Sequence, residues 1–132
     1  MNSRYAIVKE LPGTDYEDAV KAIIPLLKEE GFSVLTEIDV KATLKAKLDV
    51  DFQRYVILGA CNPQFAHKAL SGEPLIGVLL PCNVVVMERD GGGSIVAAFK
   101  PTVGFSLVDN RDVASVMEEV EKRLKRALNG LA

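Results

Sequence analysis

The chain has 132 residues, of which 48% are apolar and 26% charged, and its sixteen Lys and Arg against eighteen Asp and Glu leave a formal charge of −2. This length suits one domain over residues 1–132 with a core of its own, and the balance excludes a disordered or fibrous class. A slightly acidic chain offers no field for phosphate backbones, so no nucleic-acid partner is expected.

Residues 5–8 are apolar and lead to the turn signal Leu11-Pro12-Gly13, so the chain is expected to open with a strand. Thr14 with Glu17 fits a capping box, and Tyr16, Ala19, Val20, Ile23, Ile24 and Leu27 recur at helical spacing up to Gly31 as C-terminal cap. Pro25 inside that run predicts a kink or a broken turn. Residues 32–38 read as a second strand, and residues 40–48 as a short helix capped by Asp39. Residues 54–60 form a third strand, and residues 63–70 a short helix opened by Asn62 before Pro63. Residues 75–80 read as extended, interrupted by Gly77 and stopped by Pro81. Residues 84–88 and 95–100 flank Arg89-Asp90-Gly91-Gly92-Gly93-Ser94 as a hairpin. The last helix is expected over residues 112–128, capped by Asp109 or Asn110, with Val113, Val116, Met117, Val120, Leu124 and Leu128 on one face.

The order strand, helix, four strands, helix predicts an α+β fold: a mostly antiparallel sheet of about five strands, two main helices on one face and short inserted helices. Tyr55-Val56-Ile57-Leu58 and Val84-Val85-Val86-Met87 are apolar at consecutive positions, which point to opposite faces of a sheet. The face without helices therefore needs a cover. A homodimer would supply one, and residues 40–48 folding across that face is the competing account.

No stretch approaches the ~20 apolar residues of a membrane span, so no membrane association is expected. Residues 1–10 lack the apolar run of a signal peptide, and two cysteines make no disulfide framework, so reduced thiols and a cytoplasmic location are expected.

Cys61-Asn62 leaves the third strand and Cys82-Asn83 enters the next, so antiparallel pairing of these strands brings both cysteines to one end of the sheet. With His67, the only histidine, Cys61 and Cys82 offer three ligands to zinc or a similar metal, and Asp39 or water a fourth. The same thiols suit disulfide exchange. The spacing matches no zinc finger, zinc ribbon or Cys-x-x-Cys motif, which favours structural cysteines, and His67 alone reads as a surface or core-edge residue. Asp39 fits a general base or ligand, but its place before a helix favours an N-cap. Lys41, Lys45 and Lys47 read as a solvated face, Asp49 and Asp51 as ordinary exposed carboxylates, and Gly91 to Gly93 as a turn that lacks the Lys-Ser/Thr of a phosphate loop. No Gly-x-Ser-x-Gly elbow and no second histidine support hydrolase chemistry.

The runs Thr36-Glu37-Ile38-Asp39-Val40-Lys41, Leu58-Gly59-Ala60-Cys61-Asn62-Pro63 and Leu79-Leu80-Pro81-Cys82-Asn83-Val84-Val85-Val86 resemble the bacterial and archaeal family called domain of unknown function 302. The resemblance extends over nearly the whole chain. It implies a fold similar to the TATA-binding protein, with a curved sheet in the order β-α-β-β-β-β-α and no DNA-binding role. The wider family pattern is matched by Ile38-Asp39, Asn62-Pro63 and Leu80-Pro81 and lacks the cysteines, so it implies no general thiol chemistry. The expected function is a noncatalytic ligand- or metal-binding, regulatory homodimer, with Asp39, Asn62 and Asn83 for a small ligand and Cys61, His67 and Cys82 for zinc. A thiol-based redox or metal-dependent enzyme using Cys61 and Cys82, and a protein-interaction module acting through an apolar sheet face, are the alternatives.

Overall fold

The computed structural model describes residues 1–132. Five strands, β1 (Ala6–Leu11), β2 (Ser33–Asp39), β3 (Tyr55–Cys61), β4 (Cys82–Glu88) and β5 (Ser94–Phe99), form one antiparallel sheet in the order β1-β5-β4-β3-β2. The helices are α1 (Tyr16–Glu29), α2 (Val40–Leu48), α3 (Pro63–Gly72), the single turn α4 (Pro101–Gly104) and α5 (Arg111–Asn129), with a 3-10 helix at Pro74–Leu79. No helix is long and apolar enough to cross a membrane.

Strands β2 to β5 follow one another across the sheet, whereas β1 joins the far edge beside β5. Helix α1 must therefore carry the chain from one edge to the other, and α5 returns along it on the same face. Ala19, Ile23 and Leu27 of α1 and Val120, Leu124, Ala127 and Leu128 of α5 bury against Val56, Leu58 and Ala60 of β3, Val84 and Val86 of β4, and Val96 and Ala98 of β5. Each fully buried aliphatic side chain in this layer contributes about 1.5–3 kcal/mol relative to exposure. A second apolar cluster, Ala69, Ile76, Phe105, Val113 and Met117, ties α3, the 3-10 helix and the loop after α4 to the first half of α5.

Local signals mostly act as expected. Asp39 caps α2, accepting from the Ala42 amide at 2.9 Å, and Asn110 caps α5, accepting from the amides of Asp112 and Val113. Gly31, at φ +88, closes α1, with the Phe32 amide bonded back to the Leu27 carbonyl. Four expectations change. The cap of α1 is Asp15, which accepts from the Asp18 amide, while Thr14 lies one position outside the helix and its hydroxyl donates to Ala132 O at 3.3 Å. Of the kink or broken turn expected at Pro25 the broken turn does not occur: helix α1 continues through this residue, which lies on its exposed side, where the lost donor leaves nothing buried unpaired. Residues 74–79 coil into a 3-10 helix instead of extending, and its Ile76 packs into the cluster of Ala69, Phe105, Val113 and Met117. Between β5 and α5 the chain also forms α4, opened by Pro101, which the sequence reading passes over.

Candidate functional site

Antiparallel pairing of β3 and β4 places Cys82 opposite Ala60, the residue before Cys61. Both cysteines line one half-enclosed cavity of about 350 Å³ at this end of the sheet. Its floor comes from the sheet, through Leu35 and Thr36 of β2, Ala60 and Cys61 of β3 and Cys82 of β4, with Phe32 just ahead of β2. Its walls are Phe65, Ala66 and Leu70 of α3, Gly77 of the 3-10 helix, Leu80 and Pro81 after it, and Met117 and Val120 of α5. Asn62, at the junction of β3 and α3, completes the lining.

Local departures from regular structure shape this space. Between Val34 and Thr36 the register of β2 against β3 shifts, and the bulged Leu35 turns out at the edge. Gly59, opposite Thr36, has no room for a side chain: a Cβ there would collide with Thr36 Oγ1 and lie 3.0 Å from Pro81 Cγ. The phase of α3 then decides which residues face inward. Phe65, Ala66 and Leu70 reach the cavity, while His67, a turn position apart from them, is exposed.

No lining residue carries a charge. The polar groups are the Cys61 and Cys82 thiols, the Thr36 hydroxyl and the Asn62 amide. Burial pushes the Cys82 thiol up to about 12, and the neighbouring Cys61 adds to the shift, so Cys82 remains a thiol at neutral pH. The two cysteines are free and Cys61 is half-buried. Asn62 does not cap α3 with its side chain. Its Nδ2 instead donates to the Glu30 carbonyl at 3.3 Å, where Arg123 Nη1 donates as well at 3.2 Å, so Asn62 ties the cavity to the end of α1. The Arg123 guanidinium also lies 5.0 Å over the Phe65 ring, bracing that wall.

The residues singled out from sequence are thus partly assembled. Cys61, Asn62 and Cys82 share the cavity. His67 points elsewhere, and the structure holds no group of three or more His, Cys, Asp or Glu side chains arranged for a metal ion, so Cys61, His67 and Cys82 do not form the expected zinc set. Asp39 is an N-cap facing a separate depression with Lys41, Lys45, Asp51 and Phe52, and exposed Asn83 sits opposite Gly59, away from Cys82. Sequence reasoning missed the apolar walls; Leu80-Pro81 was the only one of those positions that a motif had marked.

The family profile described as domain of unknown function DUF302 matches residues 7–131. The chain is similar to an uncharacterized conserved protein DUF302 from Bacillus stearothermophilus, whose crystal structure aligns at a TM-score of 0.87 and 30% identity over 96% of this chain and 98% of that one. No curated protein matches the chain.

Proposed function

The chain belongs to the DUF302 family, and from that premise, which leaves the activity open, we propose that it is a noncatalytic domain that binds a small apolar ligand in the cavity beside Cys61, Asn62 and Cys82. One observation carries this reading: a cavity of about 350 Å³, with eleven of its fifteen lining residues hydrophobic, in a chain of only 132 residues. The lining holds no carboxylate, imidazole or amine to act as general acid or base. Thiolate, not thiol, is the nucleophile, so buried Cys82, held as a thiol, does not serve as the attacking sulfur. The test is titration with the neutral fluorescent probe N-phenyl-1-naphthylamine. Saturable binding by the native chain, lost in Ala66→Phe with the fold intact by circular dichroism, supports the reading; no saturable binding by the native chain refutes it.

The face of the sheet opposite the helices favours a homodimer as the working assembly. Val8, Ala97, Val85, Ile57 and Ile38 are consecutive partners across all five strands, and in the three central strands they alternate with the buried residues of the core. This gives an uncharged row across the whole sheet, and none of the five is buried; Ile38 is 48% exposed. Helix α2, the competing cover, has no buried residue. A second copy laid on this row about a two-fold axis meets the same apolar surface. Sedimentation of the native chain as a dimer and of Val85→Glu as a folded monomer is the expected result, and a native chain that stays monomeric at high micromolar concentration rules the dimer out.

A further inference from the structure

Asn62 is only 8% exposed, yet one of its two amide atoms has no protein partner. The orientation of the amide is set by its neighbour: the atom facing the Glu30 carbonyl must be the donor Nδ2, which leaves the acceptor Oδ1 on the other side. No buried side-chain oxygen or nitrogen is both sealed from solvent and unpaired, so the unpartnered Oδ1 keeps contact with solvent, and the cavity is a space that Asn62 lines. The Glu30 carbonyl, also held by Arg123, fixes the amide from behind, so it cannot turn to present a donor without losing that bond.

We infer that the ligand is a neutral, bicyclic-sized apolar molecule with a single hydroxyl, a phenol or alcohol, donating to Asn62 Oδ1. This rests on the ligand-binding reading above and narrows it. Size follows from the volume, about 350 Å³, which holds roughly a dozen groups of the ~30 Å³ that a water occupies in the liquid. Neutrality follows from the lining, since an ionised group would enter a space with no countercharge. The hydroxyl follows from the acceptor: a buried carbonyl-type oxygen that loses water and gains no donor opposes binding, so a ligand with a donor at that point is preferred.

Three probes of one shape separate these claims: 2-naphthol, 2-methoxynaphthalene and 2-naphthoate, followed by fluorescence titration against the native chain, Asn62→Ala and Thr36→Val. The expected order is naphthol tighter than the methyl ether by roughly two- to tenfold, the worth of one hydrogen bond, with naphthoate not measurably bound. Asn62→Ala should erase the preference for naphthol while the methyl ether still binds, and Thr36→Val should retain the preference. Equal binding of naphthol and its ether, or tightest binding of naphthoate, overturns the inference and leaves an apolar ligand site standing. A preference lost in Thr36→Val but kept in Asn62→Ala overturns the assignment to Asn62. If none of the three probes nor N-phenyl-1-naphthylamine binds, the site itself is wrong.

Discussion

Gly59→Ala should destabilise the native chain and become neutral or stabilising once Thr36 is cut back to Ala. Gly59 has ordinary strand geometry, so Ala at this position would gain about 0.4–1 kcal/mol by restricting the unfolded chain. Against this, the new methyl collides with Thr36 Oγ1 and comes to 3.0 Å from Pro81 Cγ. Overpacking of this kind costs about 1–3 kcal/mol, so the collision wins and the net loss is about 1–2 kcal/mol. In a Thr36→Ala background the colliding oxygen is gone and the remaining Cβ of residue 36 stands at an ordinary 3.5 Å, which leaves only the Pro81 contact to relax. The entropic gain then offsets the residual crowding, and the two substitutions couple by about 1 kcal/mol or more. Urea unfolding of the four chains at a common slope measures this directly through the midpoints. Equal penalties for Gly59→Ala in the two backgrounds would refute the argument that β2 and β3 pack at this point through the Thr36 hydroxyl.

Two further expectations concern titrating groups. Iodoacetamide at pH near 8 should add one label to the folded chain, at the half-buried Cys61, because Cys82 is buried and its thiol is pushed up to about 12; intact-mass spectra should show the second label only in denaturant, and rapid double labelling of the folded chain would contradict the burial of Cys82. Burial of Glu121 alone would raise its carboxyl, but the Thr102 amide and hydroxyl at 3.1 and 2.6 Å and the Lys125 ammonium at 3.3 Å outweigh it and hold the carboxyl below its ordinary 4.5. With the folded value depressed, this stabilisation is complete above the unfolded value and is lost as pH falls through the folded one. Glu121→Gln should therefore cost about 1–2 kcal/mol at neutral pH and show a shallower loss of stability below pH 4.5, the ordinary value of that carboxyl, in unfolding measured across acid pH; identical acid profiles for the two chains would show that Glu121 does not carry this dependence.

Much of the architecture is legible residue by residue. The alternation of Val84, Val85 and Val86 marks a strand apolar on both faces, the periodicity from Val113 to Leu128 marks α5, and Asp39 before residues 40–48 marks α2 with the bounds it has. These depend on contacts within a few positions, where propensity, capping and periodicity act. The repeated Cys-Asn pairs also located one end of the sheet, because a meander with antiparallel strands returns the chain to where it left. Less legible were the segments whose shape depends on what they pack against. Residues 74–79 have the apolar content of a strand yet coil into a 3-10 helix whose Ile76 packs with Ala69, Phe105, Val113 and Met117, and the cap of α1 falls to Asp15 while the Thr14 hydroxyl donates to the distant Ala132.

What the sequence by itself determined was the five strands, the two long helices and the short helices at residues 40–48 and after Pro63, with their order, the apolar character of both sheet faces and the neighbourhood of Cys61 and Cys82, all of which follow from local spacing and from the geometry of antiparallel pairing. Only the tertiary structure decided the cavity, since its walls come from β2, β3, β4, α3, the 3-10 helix and α5, and only their packing shows which side chains remain unpartnered. His67 and Asn62 make the distinction plain: each lies within six residues of Cys61 in sequence, yet helical phase turns His67 to solvent, while Asn62 is buried, lines the cavity and ties its amide to the Glu30 carbonyl at the end of α1.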